Sequence, residues 1–279
     1  MQNKTIQEHW TDAKEYFRKR AERGCIEYPT GLRTIDFSTD GLRKGEIWII
    51  AGRAGSGKTS LALQMANSMA KNPEHSILFL SLEMNGWELV TRMFCEMNQE
   101  FYTDLVKGYK SDQFYEKDKK FTEHLESIDF EIFEHGYSFA EIEKILSGSY
   151  SKKKPDVIFI DFVQLVEWKQ FKDERIAIME YVRKLKELAK FHDVGIVLCS
   201  QLRRYAPGTT DRPPDMSDLM GSGSLEQTAD KVILLYKKVE KGTMTYMLKL
   251  AKNRQGETFE KEILFQGFYY KFIDKKDDA

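Results

Sequence analysis

The residues Gly52-Arg-Ala-Gly-Ser-Gly57-Lys58-Thr59 have the composition and spacing of a phosphate-binding loop. Glycines let successive backbone N–H groups turn inward on an anion, and a helix starting behind them adds the favourable field of its N-terminus. The chemistry expected here is polyphosphate binding by Gly52, Arg53, Ala54, Gly55, Ser56, Gly57, Lys58, Thr59 and Ser60. Lys58 would reach the terminal phosphates of ATP, and Thr59 would ligate Mg²⁺. At average glycine content, a chance match in a chain of this length is expected about 1% of the time. The context also fits, because an apolar run precedes the loop and a helical pattern with Leu61, Leu63, Met65, Ala66 and Met69 comes after it.

Hydrolysis of a bound triphosphate needs an acidic group near the metal and a second group that orients or deprotonates water. The apolar run Val157-Ile-Phe-Ile160 ends on Asp161, the expected metal partner. Glu83, in Ser81-Leu82-Glu83-Met84, lies just past the run 77–80, and Gln201, in Cys199-Ser200-Gln201-Leu202, ends another. A single polar residue at a strand end is ordinarily just solvated. Glu83, Asp161 and Gln201 delivered by separate strands to the edge that carries Lys58 make a catalytic constellation instead.

The hydrophobic pattern shows which elements must hold these residues. Short apolar runs with β-branched content lie at 47–51, 77–81, 157–161, 194–199 and 231–236, separated by helix-periodic or polar segments. Continuous hydrophobicity means strands covered on both faces, so the pattern predicts an α/β fold with a mainly parallel sheet flanked by helices. Runs at 243–251, 258–266 and 268–273, separated by Gln255-Gly256 and Gln266-Gly267, read as an antiparallel extension of one edge. The end from 274 to 279 reads as a polar, frayed tail.

Ahead of the first strand, Ile6, Trp10, Ala13 and Phe17 recur at helical spacing among charged residues, predicting a helix over 4–23. Pro29, Gly31, Gly41 and Gly45 then set it apart from the alternating strands and helices. The expected organisation is a docking helix at 1–24, one ATPase domain at 25–273 and the tail.

Composition limits the alternatives. The 279 residues are 41% hydrophobic and 31% charged, enough for one large core. A formal net charge of -1 excludes a protein that coats nucleic acid or membrane with one basic face. The apolar runs are far too short to span a bilayer, and the polar N-terminus lacks the apolar centre of a secretory signal, so a cytoplasmic chain is expected. Cys25, Cys95 and Cys199 and the five histidines are scattered without metal-ligand spacing.

Taken in order, the phosphate loop, Phe79-Leu-Ser-Leu-Glu-Met84, Ile160-Asp-Phe-Val-Gln-Leu165, Leu198-Cys-Ser-Gln-Leu-Arg203, 217–227 and Ala251-Lys-Asn-Arg-Gln-Gly256 resemble the RecA-like motor domain of DnaB-type replicative helicases. The resemblance runs from about Ile6 to Phe272. It implies a hexameric ring around single-stranded DNA, moving 5'-3', with a primase or loader as a further partner in a bacterial or phage-infected cell. At matching positions it implies that Glu83 polarises the attacking water, that Asp161 holds the metal through its water, and that Gln201 senses the γ-phosphate. Lys252 and Arg254 would reach the γ-phosphate held by the neighbouring subunit. Two residues apart on a strand, they face the same way, although an ordinary solvated edge is the alternative. The stripe on the first helix would dock on the adjacent subunit, or else on its own domain.

DNA contacts are expected from two segments. One, 167–175, mixes Trp168 and Phe171 with Lys169, Lys172 and Arg175, the aromatic and basic mixture of single-strand binding. The other, 202–223, holds Arg203, Arg204, Arg212 and Gly223. Met220-Gly221 stands where the family often has an Arg-Glu pair. The helical N-terminal domain of full-length members has no counterpart here, as expected of either a minimal phage-type helicase or a piece of a longer one. A non-motor RecA-like ATPase, working as a nucleotide-switched binding or assembly module, is the second reading.

Overall fold

Four of the apolar runs form strands: β1 (Ile47–Gly52), β2 (Ser76–Ser81), β4 (Val157–Asp161) and β5 (Gly195–Gln201). Every residue in them is buried except Gln201, as continuous hydrophobicity requires. The computed structural model describes residues 4–23, 26–134, 138–147, 153–161, 174–203, 212–219, 222–240 and 243–275. Adding β3 (Asp129–Phe133), β6 (Lys231–Glu240), β7 (Thr243–Asn253), β8 (Phe259–Gln266) and β9 (Lys271–Asp274) gives a nine-stranded sheet in the order β3-β2-β4-β5-β1-β6-β7-β8-β9. From β3 to β6 all neighbours are parallel; from β6 onward they are antiparallel.

The alternating side chains of the buried strands feed two cores. On one face, Trp48, Ile50, Phe79, Phe159 and Val197 pack against α3 (Lys58–Ala70), α4 (Gly86–Asn98) and α6 (Phe114–Ser127), with the Phe79 and Phe159 rings stacked 5.8 Å apart. On the other, Ile49, Leu80, Ile158, Ile160 and Leu198 pack against α7 (Phe139–Leu146), α8 (Glu174–His192) and α9 (Ser222–Thr228). Two short helices, α2 (Arg33–Thr39) and α5 (Tyr102–Val106), complete the body.

Three features differ from the sequence expectation. β3 has no apolar run, because Asp129 and Glu131 alternate with Phe130 and Ile132 on a half-buried edge strand. β6 continues past 236 to Glu240, where pairing with β7 rather than burial sustains it. Asp274 is not frayed: it ends β9, and its carboxylate accepts the amides of Arg33 at 2.7 Å and Thr34 at 3.1 Å, satisfying the start of α2.

The first helix, α1 (Ile6–Arg23), leaves its stripe uncovered, with Ile6 79%, Trp10 58% and Phe17 56% exposed. Its last turn is tied to the body by an ion pair between Arg20 and Asp40 at 2.5 Å. The stripe therefore does not pack on its own domain. In dilute protein, Trp10→Ala should change unfolding stability by less than about 0.5 kcal/mol. Phe79→Ala should cost about 3–5 kcal/mol, both read by chemical denaturation.

Candidate active site

The site is built at the carboxyl edge of the parallel strands. β1 ends on Gly52, where a Cβ would lie 2.2 Å from Ser56 Oγ and 2.7 Å from the Leu235 carbonyl oxygen. Gly57, the residue before α3, has φ +93°, and a Cβ there would meet Phe272 at 2.7 Å. Only glycine fits at either position, because one is closed sterically and the other also lies in the left-handed region. Inside the turn, Ser56 Oγ is buried without a hydrogen-bond partner among the described residues. Such an orphaned group at a helix N-terminus suits an anion.

Lys58 opens α3, and its ammonium donates to the Arg53 carbonyl at 3.1 Å. Burial lowers its pKa, opposed by Cys199, Asp161 and Glu83 nearby. β2, β4 and β5 bring Glu83, Asp161 and Gln201 to the same edge, since Ser81 pairs with Asp161 and Gly52 with Gln201. Asp161 is 2% exposed, and the Thr59 hydroxyl and Cys199 thiol beside it favour its charged form. Burial pushes its carboxyl above the usual range, reinforced by Glu83 and countered by Lys58. A hydroxyl and a buried carboxylate meeting beside a lysine is a donor set that fits Mg²⁺ and phosphate.

Lys58, Thr59, Glu83 and Gln201 line a cavity of about 500 Å³ that also takes in Arg92 and Tyr270, with Asp161 buried outside its lining, a volume within the range of small-molecule sites. The Arg92 guanidinium lies 4.4 Å over the Tyr270 ring, and Tyr270 itself has φ +56°. The sequence reading missed both. Arg92 lies inside α4 without any motif; the only cue to Tyr270 is the aromatic triplet Phe268-Tyr269-Tyr270 directly after the Gly267 turn.

Lys252 and Arg254 lie at the opposite edge. β6 is parallel to β1 and β7 antiparallel to β6, so Lys231, opposite Asn253, pairs with Trp48 while Leu235 pairs with Gly52. Four strand residues, roughly 13 Å, thus separate the pair from the end of β1. β7 is an interior strand, not an edge, although β8 covers it only as far as Leu250. Arg254 lies one residue beyond the strand, yet the two side chains converge: Lys252 donates to the Glu226 carbonyl at 2.5 Å and Arg254 to the Gln227 carbonyl at 3.3 Å. These are the last carbonyls of α9, where cations are favoured.

Of the expected DNA-facing residues, Lys169, Lys172 and Arg204 lie outside the described residues, as does the Arg175 side chain in the first turn of α8. Arg203 comes two residues after the end of β5, its amide bonded to the Asp218 carbonyl at 2.9 Å, and Gly223 is exposed on α9 rather than in a loop. Arg212 is held within its own segment. Asp218 holds its guanidinium through two bonds, at 2.7 and 2.9 Å, and Asp215 adds a third at 3.0 Å. The two carboxylates brace the guanidinium against the 3₁₀ turn Met216–Asp218, with 44% of the arginine side chain still exposed.

Fold and site together define a P-loop ATPase domain of the RecA type. The chain belongs to the DnaB-like helicase C terminal domain family, whose sequence model matches residues 28–274. It is 32% identical over 242 residues to the replicative DNA helicase DnaB of Helicobacter pylori, covering 84% of this chain and 49% of that one. With the replicative DNA helicase DnaC of Bacillus subtilis it shares 30% over 263 residues, covering 90% and 58%. The chain thus spans about half the length of these curated relatives. Among solved structures, one that consists of an ATPase domain alone superposes with a TM-score of 0.88 at 25% identity, covering 99% of this chain and all of that one. A DnaB-like replicative helicase, solved in a study of its interactions with primase, gives 0.83 at 25% identity over 99% and 68%.

The buried Asp161 carries a stability cost. Its carboxyl takes up a proton at higher pH folded than unfolded, so the native state binds more protons between the two pKa values and stability falls as pH rises through that interval. In nucleotide-free protein with a chelator present, Asp161→Asn should raise the unfolding midpoint near neutral pH and flatten this slope. A lowered midpoint would contradict it.

Proposed function

We propose that this chain is the motor of an ATP-driven DNA helicase, assembling as a hexameric ring around single-stranded DNA. The observation that carries this reading is the separation of Lys252 and Arg254 from the phosphate loop of their own chain. Cations at the far edge of the sheet can serve catalysis only if a second copy brings its loop to them. The uncovered stripe of α1 supports the same reading, since an exposed Trp10 and Phe17 are covered once a neighbour docks. The helicase relatives from Helicobacter pylori and Bacillus subtilis point to DNA as the track. A primase is the partner suggested by the solved helicase studied with one.

In this mechanism the amides of 52–57 and the Lys58 ammonium hold the phosphates. Thr59 and Asp161 would hold Mg²⁺, which neutralises charge on the phosphoryl oxygens. Glu83, exposed at the cavity mouth, accepts the proton of the attacking water. Gln201, at the end of β5, contacts the terminal phosphate and leads through Leu202 into Arg203 and the second candidate DNA segment. Lys252 and Arg254 of the adjacent subunit stabilise charge in the transition state, so turnover depends on assembly. Arg92 and Tyr270 form a wall of cation and ring against which the base stacks.

ATP turnover with and without single-stranded DNA, with light scattering reporting size and a forked duplex reporting strand displacement, tests this. Turnover should rise with DNA only in the assembled form and should drive unwinding. Arg254→Ala should lower kcat by about 10³-fold or more, and Lys58→Ala should abolish turnover. Turnover indifferent to both DNA and assembly would favour a non-motor ATPase. Tyr270→Ala should raise KM for ATP about tenfold while leaving kcat nearly unchanged, the signature of lost base stacking.

A further inference from the structure

At the sheet edge remote from the phosphate loop, one buried carboxylate joins several elements. Asp230, between α9 and β6, is 3% exposed. Its Oδ2 accepts the Ile47 amide at 2.8 Å and the Lys186 ammonium of α8 at 2.5 Å, and its Oδ1 accepts Arg254 at 3.2 Å. The backbone is fixed on both sides, with the Asp230 amide on the Ile47 carbonyl at 2.8 Å and the Arg254 amide on the Asp230 carbonyl at 3.0 Å. A carboxylate this deeply buried persists only where amides and cations satisfy it. Lys186 is itself mostly buried and anchored to the Gly45 carbonyl at 2.8 Å, whereas the Arg254 side chain is 50% exposed.

That asymmetry has a chemical use. Lys186 and the Ile47 amide meet most of the demand of the carboxylate, so Asp230 needs Arg254 for only one bond, on one oxygen. The guanidinium is steered without being consumed: Asp230 and the Gln227 carbonyl take two of its five N–H donors, while half of the side chain stays exposed. A cation supplied across an interface works through being in place before charge develops, and a misplacement of about 1 Å is enough to cost about a hundredfold in rate.

We propose that Asp230 is the positioning residue for Arg254, orienting the guanidinium toward the nucleotide of the adjacent subunit. This rests on the trans role of Arg254 proposed above. Asp230 touches neither substrate nor metal and acts only through the arginine. Lys186 and the Ile47 amide hold the carboxylate in place, and the C-terminal carbonyls of α9 set the second side of the cradle and receive Lys252 as well.

The test uses the full chain assembled on single-stranded DNA. Asp230→Asn keeps the shape and an acceptor for the Ile47 amide but removes the charge that holds Arg254. It should lower kcat about tenfold to a hundredfold while KM for ATP moves by less than about twofold. Adding it to Arg254→Ala should cause no further loss, because the two act as one unit.

Mixed assemblies then separate positioning from folding damage. A Glu83→Gln chain has a disabled pocket and an intact Arg254, so mixing it with Asp230→Asn should restore turnover above the sum of the two alone. Arg254→Ala mixed with Glu83→Gln must behave likewise. If that control fails to complement, the trans reading falls. If the control complements while Asp230→Asn keeps full kcat, or loses it without being complemented, the positioning role is overturned. Should Asp230→Asn fail to assemble, Asp230→Glu, which shifts the charge by one methylene, should show the same complemented loss of kcat; full kcat in that variant overturns the proposal equally.

Discussion

Parallel strands covered by helices on both faces must all end at one edge of the sheet, and this polarity governs the rest of the molecule. It gathers Gly52, Asp161 and Gln201, with Glu83 just beyond β2, around the start of α3. It also sends β7 back antiparallel, so that everything at its C-terminal end, Lys252 and Arg254 included, is delivered to the opposite edge. One chain therefore carries a phosphate-binding half and a cationic half that cannot meet within it. In the proposed ring each interface joins one half to the other, and hydrolysis becomes a property of the assembly.

The antiparallel extension is more than an appendage to the parallel sheet. β9 folds back on the helix that begins at Lys58, where the Gln64 amide group donates to the Phe272 carbonyl at 2.9 Å and accepts its N–H at 2.8 Å. Phe272 is thereby pressed against Gly57, the contact that leaves no room for a side chain in the loop. The same hairpin sets Tyr270 against Arg92 on α4. Phosphate cradle and cavity wall are thus held by one set of contacts, although some 200 residues separate them in the chain.

Much of this was legible because burial on both faces leaves an unmistakable trace. The runs ending at Gly52, Ser81, Asp161 and Gln201 contain almost nothing polar, and a functional side chain just past such a run can only emerge at the carboxyl edge. β3 escaped because an edge strand tolerates Asp129 and Glu131 facing water. The Arg92–Tyr270 wall of the cavity escaped because the two residues come together only through the packing of β9 on α3 and α4, which no local pattern encodes. Arg212, a basic residue in a Pro- and Gly-rich segment, reads as a nucleic-acid contact, but that pattern does not show that Asp215 and Asp218 hold its guanidinium. The uncovered face of α1 was legible as a stripe, but the sequence pattern does not say what covers it; the exposure of Ile6, Trp10 and Phe17 shows that its own domain does not.

The central claim is that the two halves of the active site come from different chains. A structure of the assembled protein with a non-hydrolysable ATP analogue and Mg²⁺ tests it most directly. The Arg254 guanidinium of one protomer should lie within hydrogen-bond reach, about 3 Å, of the terminal phosphate held by Lys58 of the adjacent protomer. A terminal phosphate contacted only by residues of its own chain, with Arg254 turned away from every nucleotide in the assembly, would contradict it.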